Sequence, residues 1–386
     1  MTENNLYYIY IDSSIEGTID QLLSYFETHV FHPDDCICVY FKFYKDIEKY
    51  IHQKLKTTQI RYKFIRKNSD FIFIKNKVVF YLFNAQSNCR VVARRDLTHV
   101  FVTHGESHKL ASIKPIIRIY DFVISSGQVG IDRFLKAGIF NLSNIQDEQR
   151  VIPMGNTFIG QADYQFDSSA EALLYAPTWE GGVPNENYSS LSMKTGTYLS
   201  QIIKNIQIST LYIQVHPNLG HRDKKYIHYL KKTIQQLRKL KLSIVLIKSN
   251  IQFRDYFIFQ GCEIRSRDAE QKYKIQAALV DISAMEMQCI SASIPTFVLY
   301  EAKQLEELII PSRVKHLYSE DKAVEYRNFS RLDLSLRAVE IAQHADYLLS
   351  YQESKLESMT FRQRIHWLCH HVMQKKSGLQ QYLDVC

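Results

Sequence analysis

Short runs of β-branched and aromatic residues alternate along this chain with longer stretches whose apolar positions recur at helical spacing. In the first half the runs are LYYIYID (6–12), CICVYF (36–41), FIFI and VVFYLF (within 71–84), HVFVTH (99–104), DFVISS (121–126) and RVIPMG (150–155). Between them lie amphipathic segments such as IEGTIDQLLSYFETHV and KDIEKYIHQKLK. The second half repeats the rhythm with ALLYAPTW (172–179), TLYIQVHP (210–217), KLSIVLIKS (241–249), AALVDIS (277–283) and IPTFVLY (294–300). GTYLSQIIKNIQ and YIHYLKKTIQQLRKLK supply helices there. Strand alternating with helix predicts parallel sheets covered on both faces.

The chain has 386 residues, more than the ~250–300 at which one core stops growing. Two α/β halves joined near GQADYQFDSSAEA (160–172) follow, with a cleft expected between them. The domains are read as 1–160, 161–330 and a helical tail over 331–386, where the strand pattern stops. Apolar residues make up 46% and charged residues 23%, which excludes a disordered chain. The 25 Tyr and 21 Phe are read as a compositional bias of the source, with a minor share for stacking on sugars or bases.

The formal charge of +8 suits an anionic ligand or an anionic membrane surface, and it is spread along the sequence rather than gathered in a tail. No nucleic-acid signature accompanies it, so nucleic acid is not expected as the partner. Seven scattered cysteines without CxxC spacing read as reduced thiols. MTENNLYYIYIDSS lacks a basic, cleavable leader pattern, and no run approaches ~20 apolar residues. The expectation is a cytoplasmic chain, at most peripheral to a membrane. The basic stretch 361–376 reads either as a solvated face or as a face resting on anionic lipid.

Four polar tips end predicted strands, where ligands of open α/β sheets bind. THGESHK offers His104 and His108 as acid–base groups, Gly105 for a sharp turn, Glu106, and Lys109 for a phosphate. YAPTWEGG offers Thr178 and Trp179 to flank a ring. In QVHPN, His216 is fixed by Pro217. LVDISAMEM brings Asp281, then Ser283 at the start of a helix whose free N–H groups suit phosphate, with Glu286 one turn inside. Each tip alone reads equally as a polar turn or cap. HWLCHH sets His366 and His370 one turn apart but lacks the glutamate of a zinc helix, so no metal site is assigned. ISSGQVGIDR lacks GxGxxG, so dinucleotide binding is not supported.

Taken in order, His-Gly then Lys, Tyr-Ala-Pro-Thr-Trp, His-Pro after a strand, and Asp-x-Ser before a helix resemble the CDP-glycerol glycerophosphotransferase family over roughly residues 95–300. The resemblance implies a GT-B fold: two Rossmann-like domains with parallel sheets facing a central cleft, and a helical C-terminal tail. It implies a transferase moving glycerol phosphate or a similar polyol phosphate from a CDP-activated donor to a glycan or glycolipid hydroxyl, releasing CMP. His104 would be the base and His216 a holder of phosphate oxygen; Lys109, Asp281 and Ser283 would hold the donor. Glu106 or His108 would orient His104 or meet the acceptor. No cofactor beyond the donor is implied, and a divalent metal is left open. The chain departs from the pattern at Thr103, where the family has Trp, at Glu106-Ser107-His108, at Ala284 where it has a second Ser, and at Gln288 where it has an acid. A nucleotide-sugar glycosyltransferase and a non-catalytic subunit of a glycan assembly complex therefore stand beside the first reading.

Overall fold

A computed structural model describes residues 6–103, 106–160, 162–249, 251–266, 272–318, 324–325 and 333–383. The chain divides into two compact units. The first holds residues 1–106, 112–160 and 347–386; the second holds 107–111 and 161–346.

In the first unit seven strands form one parallel sheet: β1 (Tyr7–Ile11), β2 (Cys36–Lys42), β3 (Tyr62–Ile65), β4 (Val78–Tyr81), β5 (Thr98–Phe101), β6 (Phe122–Ser125) and β7 (Val151–Pro153). Their order is β3-β2-β1-β4-β5-β6-β7, with the switch point between β1 and β4. The central strands are buried along their whole length, as a sheet covered on both faces requires. The helix Glu16–Glu27 buries Ile19, Leu22, Tyr25 and Phe26, and Lys45–Leu55 buries Ile47, Ile51 and Leu55, one apolar stripe each.

The second unit holds β8 (Tyr164–Phe166), β9 (Ala172–Ala176), β10 (Thr210–Gln214), β11 (Ser243–Lys248), β12 (Glu263–Ser266), β13 (Tyr273–Ile275), β14 (Ala277–Asp281), β15 (Thr296–Tyr300) and β16 (Val324–Glu325). The parallel sheet runs β12-β11-β10-β9-β14-β15-β16, with the switch point between β9 and β14; β8 and β13 pair separately. Two Rossmann-like parallel sheets and a long C-terminal helix, Phe361–Leu383, make this the α/β fold with two Rossmann-like domains expected from sequence.

Two local expectations change. FIFI (71–74) is not a strand; its alternation instead lays Phe71 and Phe73 on Tyr10, Tyr40 and Tyr8. Tyrosine hydroxyls replace the ladder: Tyr40 donates to the Ile72 carbonyl at 2.6 Å, and the Ile74 N–H donates to Tyr8 at 3.0 Å. The basic stretch 361–376 is not a plain solvated face, because several of its cations are bonded within the first unit. Arg362 and His366 grip the buried Asp35, with the arginine bidentate at 2.7 and 2.8 Å. Arg364 donates to the carbonyls of Leu356 and Glu357 and to Asn156, and Lys376 donates to Asp121. These cations hold the returning helix on the first unit.

Glu106 is a buried polar anchor of the first unit. Its carboxylate pairs with the buried Arg133 and accepts the Ser126 N–H at 2.9 Å. Gly130 packs beside it: a Cβ there would come 3.4 Å from both carboxylate oxygens and would clash with the Ser125 Cβ at 2.6 Å. Removing one partner strands a buried charge, so Glu106→Ala is expected to cost about 3–5 kcal/mol. Joint replacement by Glu106→Leu and Arg133→Met is expected to recover most of that loss. Urea denaturation of the two variants checks this.

Candidate functional site

The candidate site lies in the second unit, at the C-terminal ends of β9, β10 and β14, which flank the switch point of its sheet. Asp281 is the last residue of β14 and is completely buried. Its Oδ2 accepts two backbone N–H groups, from Thr178 at 2.7 Å and Ser190 at 2.9 Å. Its Oδ1 has no hydrogen-bond partner among the described residues. Burial raises this carboxyl to about 7, against the pull of Ser190, Thr178 and the Lys109 ammonium.

Lys109 belongs to this unit with the five residues 107–111, although the segments up to 106 and from 112 belong to the other. Its Nζ donates to Thr178 Oγ1 at 2.9 Å and lies 5.8 Å from the centre of the Tyr188 ring. The Leu110 N–H donates to the Tyr188 hydroxyl at 3.4 Å and steadies this segment. Burial lowers Lys109 to about 8, while Asp281 and Glu186 pull it upward. One buried acid and one half-buried base, each shifted towards its neutral form, therefore share this corner.

His216 follows β10 and stacks on Trp179, with ring centres 5.9 Å apart and planes 16° from parallel. Its Nδ1 accepts the Asn218 N–H at 3.1 Å, so the neutral ring carries its proton on Nε2. Burial, and then Lys109, lower it to about 3. At neutral pH it is a hydrogen-bond donor, not a cation. Pro217 follows it on the surface. Ser283 caps the helix Ala284–Ser291, accepting the Met285 N–H at 3.3 Å.

Thus Lys109, Thr178, Trp179, His216, Asp281 and Ser283 are linked in one unit by direct bonds, ring stacking, charge or chain adjacency. Other expected residues stand apart. Glu106 is committed to Arg133 in the first unit, which leaves its carboxylate no place in contacting an acceptor. His108 is buried edge-on to Tyr318, and burial lowers it to about 4, so it is not an acid–base group near neutral pH. Glu286 is buried and accepts from Tyr318, an interior role rather than a reach to a ribose. His104 and Gly105 lie outside the described residues. Thr103, just before them, has φ 65°, a left-handed conformation costly for a β-branched residue, by roughly 1–2 kcal/mol.

Two residues that sequence reasoning passed over shape the site. Glu180, inside YAPTWEGG, is completely buried and accepts the N–H groups of Gly220, Arg222 and Asp223 at 2.8–3.0 Å. Arg222 returns bonds to the carbonyls of Glu180 and Gly181. This clasp fixes the loop after His216. A carboxylate beside paired glycines was the available signal, and of the pair only Gly181 is obligatory, with φ 72° and Glu186 O 2.4 Å from a notional Cβ. Ser190 had no such signal, because it reaches Asp281 across 91 residues.

No family model matches this chain, and no curated protein matches it. Among solved structures it is similar to the UDP-GlcNAc 2-epimerase of Methanocaldococcus jannaschii, at 10% identity and a TM-score of 0.45, covering 94% of this chain and 99% of that one. It is similar also to MurG of Acinetobacter baumannii, at 10% identity and a TM-score of 0.41, covering 97% and 99%. Neither likeness bears on what this chain acts on.

The Asp281 carboxyl gives a pH-dependent signature. Its folded value lies above the ordinary 3.8, so the folded chain keeps a proton that the unfolded chain releases. Its contribution to stability therefore falls as pH rises from about 4 to about 7. His216 and His108 act in the opposite sense over the acidic part of that range, so the informative quantity is the difference between variant and parent. Asp281→Asn is expected to gain Tm relative to the parent between pH 4 and 7 and to hold the gain above, as measured by thermal unfolding. A flat difference would contradict the assignment.

Proposed function

We propose that the second unit binds the diphosphate of a nucleotide-activated donor, and that the chain transfers the activated group to a hydroxyl of a cell-surface glycan or glycolipid. The observation that supports this reading is the joining of Lys109, Thr178, His216 and Asp281 at the switch point of a parallel sheet, beside the capped start of the 284–291 helix. A diphosphate there meets an ammonium, the Nε2–H of a neutral histidine and the positive end of the helix dipole. Phosphoryl transfer needs such positioning and charge neutralisation more than covalent help from protein.

In the version that the ordered motifs suggest, the donor is a CDP-polyol. The acceptor oxygen bonds to the distal phosphorus, the bond from that phosphorus to the bridging oxygen breaks, and CMP departs with the electron pair. His104 is assigned as the base that takes the acceptor proton. His216 and Lys109 meet the charge that grows on the phosphate oxygens. A nucleotide-sugar donor is the second reading. Ala284 favours it, since a second serine hydroxyl is missing where the CDP-dependent family holds its nucleotide.

Purified chain incubated with CDP-glycerol, CDP-ribitol and common nucleotide sugars separates these readings by the nucleotide released. CMP release is the outcome we expect; CDP or UDP release from a sugar donor would transfer the proposal to glycosyl transfer. Binding without turnover by any donor would make the chain a non-catalytic subunit. Lys109→Ala and His216→Ala are each expected to lower kcat about 10²–10³-fold in folded protein, as loss of one charge-stabilising donor does.

A further inference from the structure

The helix Phe253–Ile258 is built inside out. Its buried residue is Asp255, which pairs with Lys248 at 2.6 Å and accepts the Gln252 N–H. Phe259, just past its end, is the apolar anchor in the core. Phe253, Tyr256 and Phe257, at the i, i+3 and i+4 positions of one face, are 79%, 53% and 59% exposed. A single exposed apolar side chain is ordinary; three large aromatics gathered on one turn are not.

The charge around them is predominantly positive. Between residues 238 and 254 stand five lysines and arginines, of which Lys248 is paired with Asp255. Arg254 is exposed on the same helix. Arg238 donates to the Gln260 carbonyl at 3.4 Å, beyond the other end of the helix, with the exposed Lys239 beside it in sequence. The acids nearest in sequence are occupied: Asp255 by Lys248, and Glu263 by Arg265 at 2.5 Å.

We propose that this helix docks the chain on an anionic lipid bilayer. Phe253, Tyr256 and Phe257 enter the headgroup boundary, and Arg254, Arg238 and Lys239 face the lipid phosphates. Aromatic rings with an apolar body are favoured at that depth. Two other occupants fit less well. A self-complementary contact with a second copy would bring two basic rims together. A sugar-stacking platform needs open, aligned ring faces, whereas Phe253 and Phe257 meet edge-to-face at 70°.

The test is flotation of the full chain with vesicles of phosphatidylcholine, alone or mixed with phosphatidylglycerol, without donor, so that it stands or falls apart from the proposed function. Binding is expected only to the mixed vesicles and is expected to weaken with added salt. The Phe253→Ser/Phe257→Ser variant is expected to partition about tenfold more weakly. These side chains lie outside the core, so circular dichroism of the variant should match the parent. Brominated lipid should quench Phe253→Trp more than the parent. Failure of the parent to bind mixed vesicles, or unchanged partition of the double variant, would overturn the proposal. So would a dimer in light scattering that the double variant dissolves, because a second copy would then cover the face.

Discussion

Everything in the candidate site turns on a carboxyl group held out of water at the end of a central strand. Asp281 receives the backbone N–H groups of Thr178 and Ser190, and so ties the loop after β9 and the segment around Ser190 to β14. Burying a carboxylate is expensive unless its bonds and neighbours offset the loss of hydration. Two N–H donors and the Lys109 ammonium offset part of it, and a raised proton affinity offsets the rest. The consequence is a corner whose polar groups are oriented before any ligand arrives. Thr178, pinned by its own N–H, presents its hydroxyl to Lys109, and the Glu180 clasp fixes the loop that follows His216.

The protonation states follow from the same burial. Burial, and then the nearby Lys109, keep His216 neutral at neutral pH, and its Nδ1 is already taken by Asn218. It therefore offers one oriented Nε2–H, the form suited to a phosphate oxygen. Lys109 is the one cation that faces both Asp281 and His216 in these interactions, and an arriving anion would draw it further towards the charged form. His216 is thereby removed from acid–base chemistry near neutral pH, and His104 is the residue assigned the proposed proton transfer.

Much of this was legible in the sequence because period and position carry it. Apolar runs marked the strands that matter, and polar residues closing those runs marked their C-terminal ends; Asp281 as the last residue of β14 and Ser283 as the helix cap follow directly. What periodicity cannot carry is the choice of partner. Glu106 and Lys109 stand three residues apart in one motif, yet one closes on Arg133 in the first unit and the other on Thr178 in the second. His108 has the residue type of an acid–base group, but burial beside Tyr318 removes that capacity. FIFI alternates as a strand does, and its alternation serves a covering strip hydrogen-bonded by tyrosines. The basic C-terminal stretch shows the same limit, because Asp35 and Asp121, distant in sequence, absorb its charge.

The central claim is that the corner around Asp281 receives a nucleoside diphosphate. The chain has two tryptophans, and Trp179 stacks on His216 within that corner, so a Trp367→Phe background reports Trp179 alone. Titration of this protein with CDP, followed by tryptophan fluorescence, should give a saturable change that is lost when Lys109 is replaced by alanine. A fluorescence that does not respond, or a response that persists unchanged without Lys109, would contradict it.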